Sequence, residues 1–198
     1  NGEPNSIFLE IFFKALKIKK FRSPIILVSS INLLKLQMKY YNFRKKIRVL
    51  DYRKLDDYKI DNKSINLINI DYHQTRAFEK ISSKSNNFIK QSFNLAFKII
   101  KKYKIKKFIN GPVVKKTFLQ KKHLGITEYI SKKFNTKKNA MLIHNKYLSV
   151  CPLTTHLPLK SVTKSITKKN ICDKTKLIND FYKKNLNKKP KIAILGLN

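Results

Sequence analysis

The sequence predicts an α/β fold with a largely parallel sheet. Short apolar runs of strand length alternate with longer stretches of helical periodicity. Runs such as Pro24-Ile25-Ile26-Leu27-Val28 are too continuously apolar for a half-solvated strand and read as buried ones. An apolar fraction of 42%, with 11% aromatic, fills a real core across 198 residues, which is room for one domain or two small lobes.

The elements follow in order. Gly2-Glu3-Pro4-Asn5-Ser6-Ile7 reads as a loop feeding a helix that starts near Ser6, and residues 7–16 are strongly apolar except at Glu10 and Lys14. A strand is expected at 24–28, a helix over 31–41, and strands at 47–50 and 67–70, with the polar stretch 51–63 as a surface loop. The clearest helix spans 84–103. Ile89, Phe93, Ala96, Phe97 and Ile100 share one face, and Lys90, Lys98, Lys101 and Lys102 lie mostly opposite. Phe108-Ile109-Asn110 reads as a short strand stopped by Gly111-Pro112. A short helix over 127–134, strands at 140–143 and 148–151, and an amphipathic helix around Leu177, Ile178, Phe181 and Tyr182 complete the pattern. The last residues, 192–198, read as a core strand entering a turn, and residue 1 is Asn, so the chain is expected to be a fragment.

The formal net charge of +34 invites a nucleic-acid reading. The kind of basic residue weakens it: only five of the 45 are Arg, leaving 45 − 5 = 40 Lys. Gly and Pro are scarce at 4 and 6, which matches an AT-rich coding sequence rather than selection for a polyanion. Arg supplies the bidentate contacts that nucleic-acid binders favour, and Lys here is spread along the whole chain. No nucleic-acid partner is expected, although the field favours anionic substrates. Cys151 and Cys172 form no disulfide framework and no metal spacing. No apolar run reaches the roughly 18 residues of a membrane span, so no membrane partner and a cytoplasmic location are expected.

Four segments can carry chemistry. Thr154-Thr155-His156-Leu157-Pro158-Leu159 follows an expected strand, where open α/β sheets bind ligands. A histidine there can ligate a metal or move a proton, or simply sit hydrogen-bonded in a turn. In Gly111-Pro112-Val113-Val114-Lys115, Gly permits close backbone approach and Lys115 can hold a phosphate, although an ordinary strand-to-helix turn explains the same residues. In Gly125-Ile126-Thr127-Glu128-Tyr129, Thr127 can cap a helix whose free N–H groups receive an anion. Gly2-Glu3-Pro4 with Glu10 fits capping as well as ligand contact. His73, His123 and His144 are isolated, and no P-loop or Gly-rich dinucleotide fingerprint is present, which argues against an ordinary Rossmann dehydrogenase.

In this order and spacing the four segments resemble the 4-hydroxythreonine-4-phosphate dehydrogenase family. That family opens on a Gly-Asp/Glu-Pro-Ala-Gly-Ile-Gly-Pro-Glu loop, to which Gly2, Glu3, Pro4, Ile7 and Glu10 correspond, while Asn5, Ser6, Phe8 and Leu9 depart from it. Gly111, Pro112, Val113 and Lys115 match its Gly-Pro-Ile/Val-x-Lys turn, and Gly125, Thr127, Glu128 and Tyr129 match its Gly-His-Thr-Glu-Phe/Tyr motif. Thr154 to Leu159 reproduces its Thr-Thr-His-Leu-Pro-Leu motif in full, and 194–198 resembles the strand before its Asn-Pro-His-x-Gly-Glu segment.

The resemblance implies an isocitrate/isopropylmalate-dehydrogenase-like three-layer α/β/α fold, truncated at the C-terminus. Residues 1–121 would form a first lobe and residues 122–198 the start of a second. It implies NAD-dependent oxidation, with decarboxylation, of 4-phosphooxy-L-threonine in pyridoxal 5'-phosphate (vitamin B6) biosynthesis. It also implies a homodimer and a divalent metal (Zn, Mg or Co) held by three histidines. Of these only His156 lies in this chain, so the 198 residues alone are expected to be inactive. Thr127 carries over as a substrate contact, with Lys115 as a helper, and the resemblance names no catalytic acid or base here. Where the family has a substrate-contacting His, this chain has Ile126, which can neither donate nor accept a hydrogen bond; the loss costs about 1–3 kcal/mol unless a neighbour replaces it. The substrate is therefore the phosphorylated hydroxy amino acid or a related phosphorylated hydroxy acid, such as a phospho-sugar acid. A basic nucleic-acid-binding protein is the third reading.

Overall fold

The computed structural model describes residues 2–114, 118–119, 125–136, 138–155 and 157–196. The chain divides into two compact units, Asn1–Lys121 and Lys122–Asn198.

The first unit is built on a parallel sheet of β1 (Ile26–Ser29), β2 (Ile47–Val49) and β3 (Ile65–Asn69), in the order β1-β3-β2. β3 is central. It pairs Leu67 with Leu27 of β1 and with Val49 of β2, and four of its five residues are buried. That pattern suits a strand covered on both faces. Its one polar core residue, Asn66, donates from Nδ2 to the carbonyls of Ile25 (3.0 Å) and Asp61 (2.6 Å). The β2–β3 connection has no α-helix, only a 3-10 turn at Leu55–Asp57. Asn62 fixes its end by accepting from Ile25 N (2.9 Å) and donating to the carbonyls of Phe21 (3.0 Å) and Ser23 (2.8 Å).

Three helices join this sheet: α1 (Phe8–Ile18), α2 (Ile31–Tyr40) and α3 (Asn86–Lys102). α2 starts where Ser30 Oγ accepts from Leu33 N (3.4 Å) while donating to Tyr72 O (2.7 Å). α3 buries Phe88, Ile89, Ser92, Phe93, Ala96, Phe97 and Ile99, the face that helical periodicity predicts, and stacks Phe93 on Phe118 at 5.6 Å between ring centroids.

The strand expected at 108–110 does not form. Phe108 instead sets its ring against Phe93 and Phe97 (6.0 and 5.8 Å), and Ile109 is 81% exposed, so the segment runs as irregular chain over α3.

The second unit contains α4 (Ile126–Lys133), the hairpin strands β4 (Ile143–His144) and β5 (Ser149–Val150), α5 (Leu159–Ser165) and α6 (Lys168–Phe181), followed by a π-type turn at Tyr182–Leu186. β4 and β5 pair antiparallel, so the two strands expected here form a hairpin rather than extending a parallel sheet. Described residues 190–196 carry no ladder, so the expected closing strand is absent over that range. The second amphipathic helix starts earlier than its apolar residues suggest. Thr167 Oγ1 accepts from Asn170 N (3.2 Å) and caps α6 there. Among the described residues Tyr129 is the only buried apolar side chain of this unit, while Ile143, Tyr147, Leu148, Leu159 and Leu195 are exposed.

Candidate functional site

The four motifs meet in pairs, one pair in each unit. In the first unit the amino-terminal loop lies against the Gly111-Pro112 turn. Glu3 N donates to Pro112 O at 2.7 Å. The approach demands two glycines: a Cβ on Gly2 would sit 2.2 Å from Pro112 O, and one on Gly111 would sit 2.8 Å from Phe8 Cγ and 2.9 Å from Gly2 N.

The loop is held from several sides. The Glu3 carboxylate is 2% exposed and accepts from Ser85 Oγ (2.7 Å), at the start of α3, and from Asn5 N (3.3 Å). Buried Gln37 of α2 donates to Pro4 O and to Ala77 O, both at 2.9 Å. Asn5 Oδ1 accepts from Glu79 N (2.8 Å). Ser6 caps no helix in the expected way. Its hydroxyl donates to Glu3 O (2.7 Å) and accepts from Phe8 N (3.3 Å), and α1 begins at Phe8. Burial raises the pKa of Tyr72 beside this loop, and the Glu3 and Glu79 carboxylates push it in the same direction. Glu10 serves α1 itself: Lys14 Nζ donates to it at 2.5 Å and Tyr41 OH at 2.9 Å.

In the second unit Gly125 is the N-cap of α4, so Ile126 and Thr127 occupy its first turn and Thr127 is not the cap. Both are partly buried. Glu128 turns towards the chain after β5, where its Oε1 accepts from Thr155 Oγ1 at 3.3 Å. Its Oε2 is buried and has no hydrogen-bond partner. Tyr129 packs inward, and burial raises its pKa.

Lys115 and His156, together with His123, lie outside the described residues. His73 is exposed. His144, also exposed, is less isolated than its sequence suggests: its Nδ1 lies 2.9 Å from Ser149 Oγ, which accepts from Tyr182 OH at 2.8 Å. These three side chains line a cleft of about 1260 Å³ that reaches Thr154. No three His, Cys, Asp or Glu side chains converge as a metal-ligand set among the described residues. The feature that fits a nearby metal ligand is the unpartnered Glu128 oxygen, one residue removed through Thr155 from His156.

The profile of the family described as pyridoxal phosphate biosynthetic protein PdxA matches residues 20–198. The chain belongs to the PdxA family. The 4-hydroxythreonine-4-phosphate dehydrogenase of Sulfurihydrogenibium sp. (strain YO3AOP1) is 31% identical over 201 residues, covering 100% of this chain and 61% of that protein. The enzyme of the same name from Aquifex aeolicus (strain VF5) is 39% identical over 74 residues, 37% of this chain and 23% of its own length. The PdxA fold is shared with solved 4-hydroxythreonine-4-phosphate dehydrogenases. The Klebsiella pneumoniae structure has a TM-score of 0.75 at 18% identity, covering 92% of this chain and 57% of that one. The Burkholderia phymatum structure has a TM-score of 0.74 at 17% identity, covering 90% and 55%. The chain thus spans about three-fifths of the length of the PdxA relative that it matches throughout.

Sequence reasoning missed the buried role of Glu3 and the residues that fix it, Ser85 and Gln37. A Glu inside a Gly-x-Pro turn was the available signal, since a charged residue flanked by loop-forming residues is ordinarily exposed.

Proposed function

We propose that this chain is part of an NAD-dependent, metal-assisted dehydrogenase that oxidises and decarboxylates 4-phosphooxy-L-threonine in vitamin B6 biosynthesis. PdxA family membership supports the reading. The observation that carries it to the site is the Glu128–Thr155 bond, which ties the motif holding Thr127 to the motif holding His156.

His156 would be this chain's ligand to a divalent metal, which supplies Lewis acidity towards the substrate hydroxyl. NAD takes the hydride of the oxidised carbon, the hydroxyl proton is lost, and the 3-oxo acid then releases carbon dioxide. Thr127 bonds the substrate through its hydroxyl, and Lys115 holds its phosphate as a point charge. Ile126 offers only an apolar wall, which favours a substrate whose polar groups are satisfied elsewhere. Assembly as a homodimer and a cytoplasmic location belong to the same reading. No helix among the described residues is long and apolar enough to cross a membrane.

The test is NAD reduction by the full natural gene product with Zn²⁺, Mg²⁺ or Co²⁺, across a panel of phosphorylated hydroxy acids. Turnover of 4-phosphooxy-L-threonine at the highest kcat/KM supports the assignment. A preference for a phospho-sugar acid moves it to the related substrate class, with Ile126 as the cause. Residues 1–198 alone, holding one of the three metal histidines, are expected to give no turnover. Steeply salt-dependent retention on DNA without turnover would favour the nucleic-acid reading.

A further inference from the structure

Glu128 presents a carboxylate that is only half used. Oε1 takes the Thr155 hydroxyl at 3.3 Å, while Oε2 is buried without any hydrogen-bond partner. A buried carboxylate oxygen without a donor is unfavourable, and a charged acceptor raises the cost. The chain holds 40 Lys, yet no ion pair involving Glu128 occurs among the described residues, whose two ion pairs are Lys14–Glu10 and Lys138–Asp173. The free oxygen therefore calls for a donor that arrives with something else.

The peptide unit after Thr155 belongs to His156. A histidine that binds a metal through one ring nitrogen presents N–H at the other, and that N–H is commonly taken by a carboxylate. The carboxylate fixes the tautomer and ring plane and raises the basicity of the ligand. We infer that Glu128 is the positioning residue of His156: anchored by Thr155, its free oxygen accepts the ring N–H opposite the metal. The inference rests on the metal role given to His156 under the proposed function. It adds a residue that never touches substrate, and it explains why a charged side chain is directed inward from the first turn of α4.

The probe is Zn²⁺ alone, titrated into the full natural gene product against a chromophoric chelator, with the Co²⁺ absorption spectrum as a second reading. Glu128→Gln keeps the shape and removes the charge, and is expected to weaken Zn²⁺ about tenfold or more. The metal-free melting temperature should stay unchanged and the Co²⁺ bands should shift. Thr155→Val, which frees the anchor alone, is expected to weaken Zn²⁺ several-fold and serves as the test if Glu128→Gln does not fold. His156→Ala is the reference. If it weakens Zn²⁺ while Glu128→Gln, or Thr155→Val in its place, leaves affinity and spectrum untouched, the positioning role is overturned and the metal site stands. A loss in Glu128→Gln equal to that of His156→Ala makes Glu128 a ligand and also overturns the positioning role. Unchanged affinity in His156→Ala removes both readings together.

Discussion

At Gly2 a methyl group has no room, because the carbonyl of Pro112 stands 2.2 Å from where it would go. Gly2→Ala is therefore expected to destabilise the first unit by roughly 1–3 kcal/mol, the usual cost of overpacking, read as a lower denaturation midpoint at unchanged slope. Tyr41 carries a prediction about pH. Burial and the hydrogen bond to Glu10 push its pKa up to about 12, while Lys14 and Tyr41 hold Glu10 below its usual value. A raised tyrosine pKa contributes stability that is complete below the unfolded value near 10 and is lost as pH climbs to about 12. A depressed Glu10 works in the opposite sense, and its contribution fades as pH falls below the ordinary 4.5. The melting temperature of Tyr41→Phe should accordingly fall less between pH 10 and pH 12 than that of the wild type. Glu10 could be recognised as part of a motif, but its partners could not, since Tyr41 is 31 residues away and joins it only through the packing of α1 on α2.

Periodicity served the elements well where one face is buried. α3 shows its apolar stripe in the sequence, and β3 reads as an apolar run because both its faces are covered. Phe93→Ala is expected to cost about 3–5 kcal/mol in a denaturation experiment, because the ring stacks on Phe118 and touches Phe97 and Phe108. Where the periodicity misled, the cause was a missing neighbour. Phe108 and residues 190–196 are apolar enough for strands, but a strand is defined by its ladder, and none pairs with them among the described residues. The β4–β5 hairpin was read as two strands with no means of telling their direction, because its two-residue ladders give no alternation long enough to set a face.

For the whole molecule, charge is the dominant physical fact. A net +34 is opposed by two ion pairs among the described residues, so self-repulsion acts against the compact state. Raising NaCl from about 0.05 M to 0.5 M should then raise the melting temperature, since screening relieves more repulsion than attraction. A fall on adding salt would mean that local pairing outweighs the net field. Family membership was legible from four short motifs. Their pairing within the folded chain was not, because residues 3 and 112, or 128 and 155, show no sequence signal of contact.

The clasp between Glu3 and Pro112 also bears on synthesis order. The earliest residues made wait for a partner 112 − 3 = 109 positions later. At about 5–20 residues per second, that leaves the opening segment and its apolar helix α1 unfastened for roughly 5–20 s on the ribosome. The first unit can close only after nearly all of it has been translated. A ribosome stalled short of Pro112 should therefore hold a nascent chain whose opening residues remain open to protease.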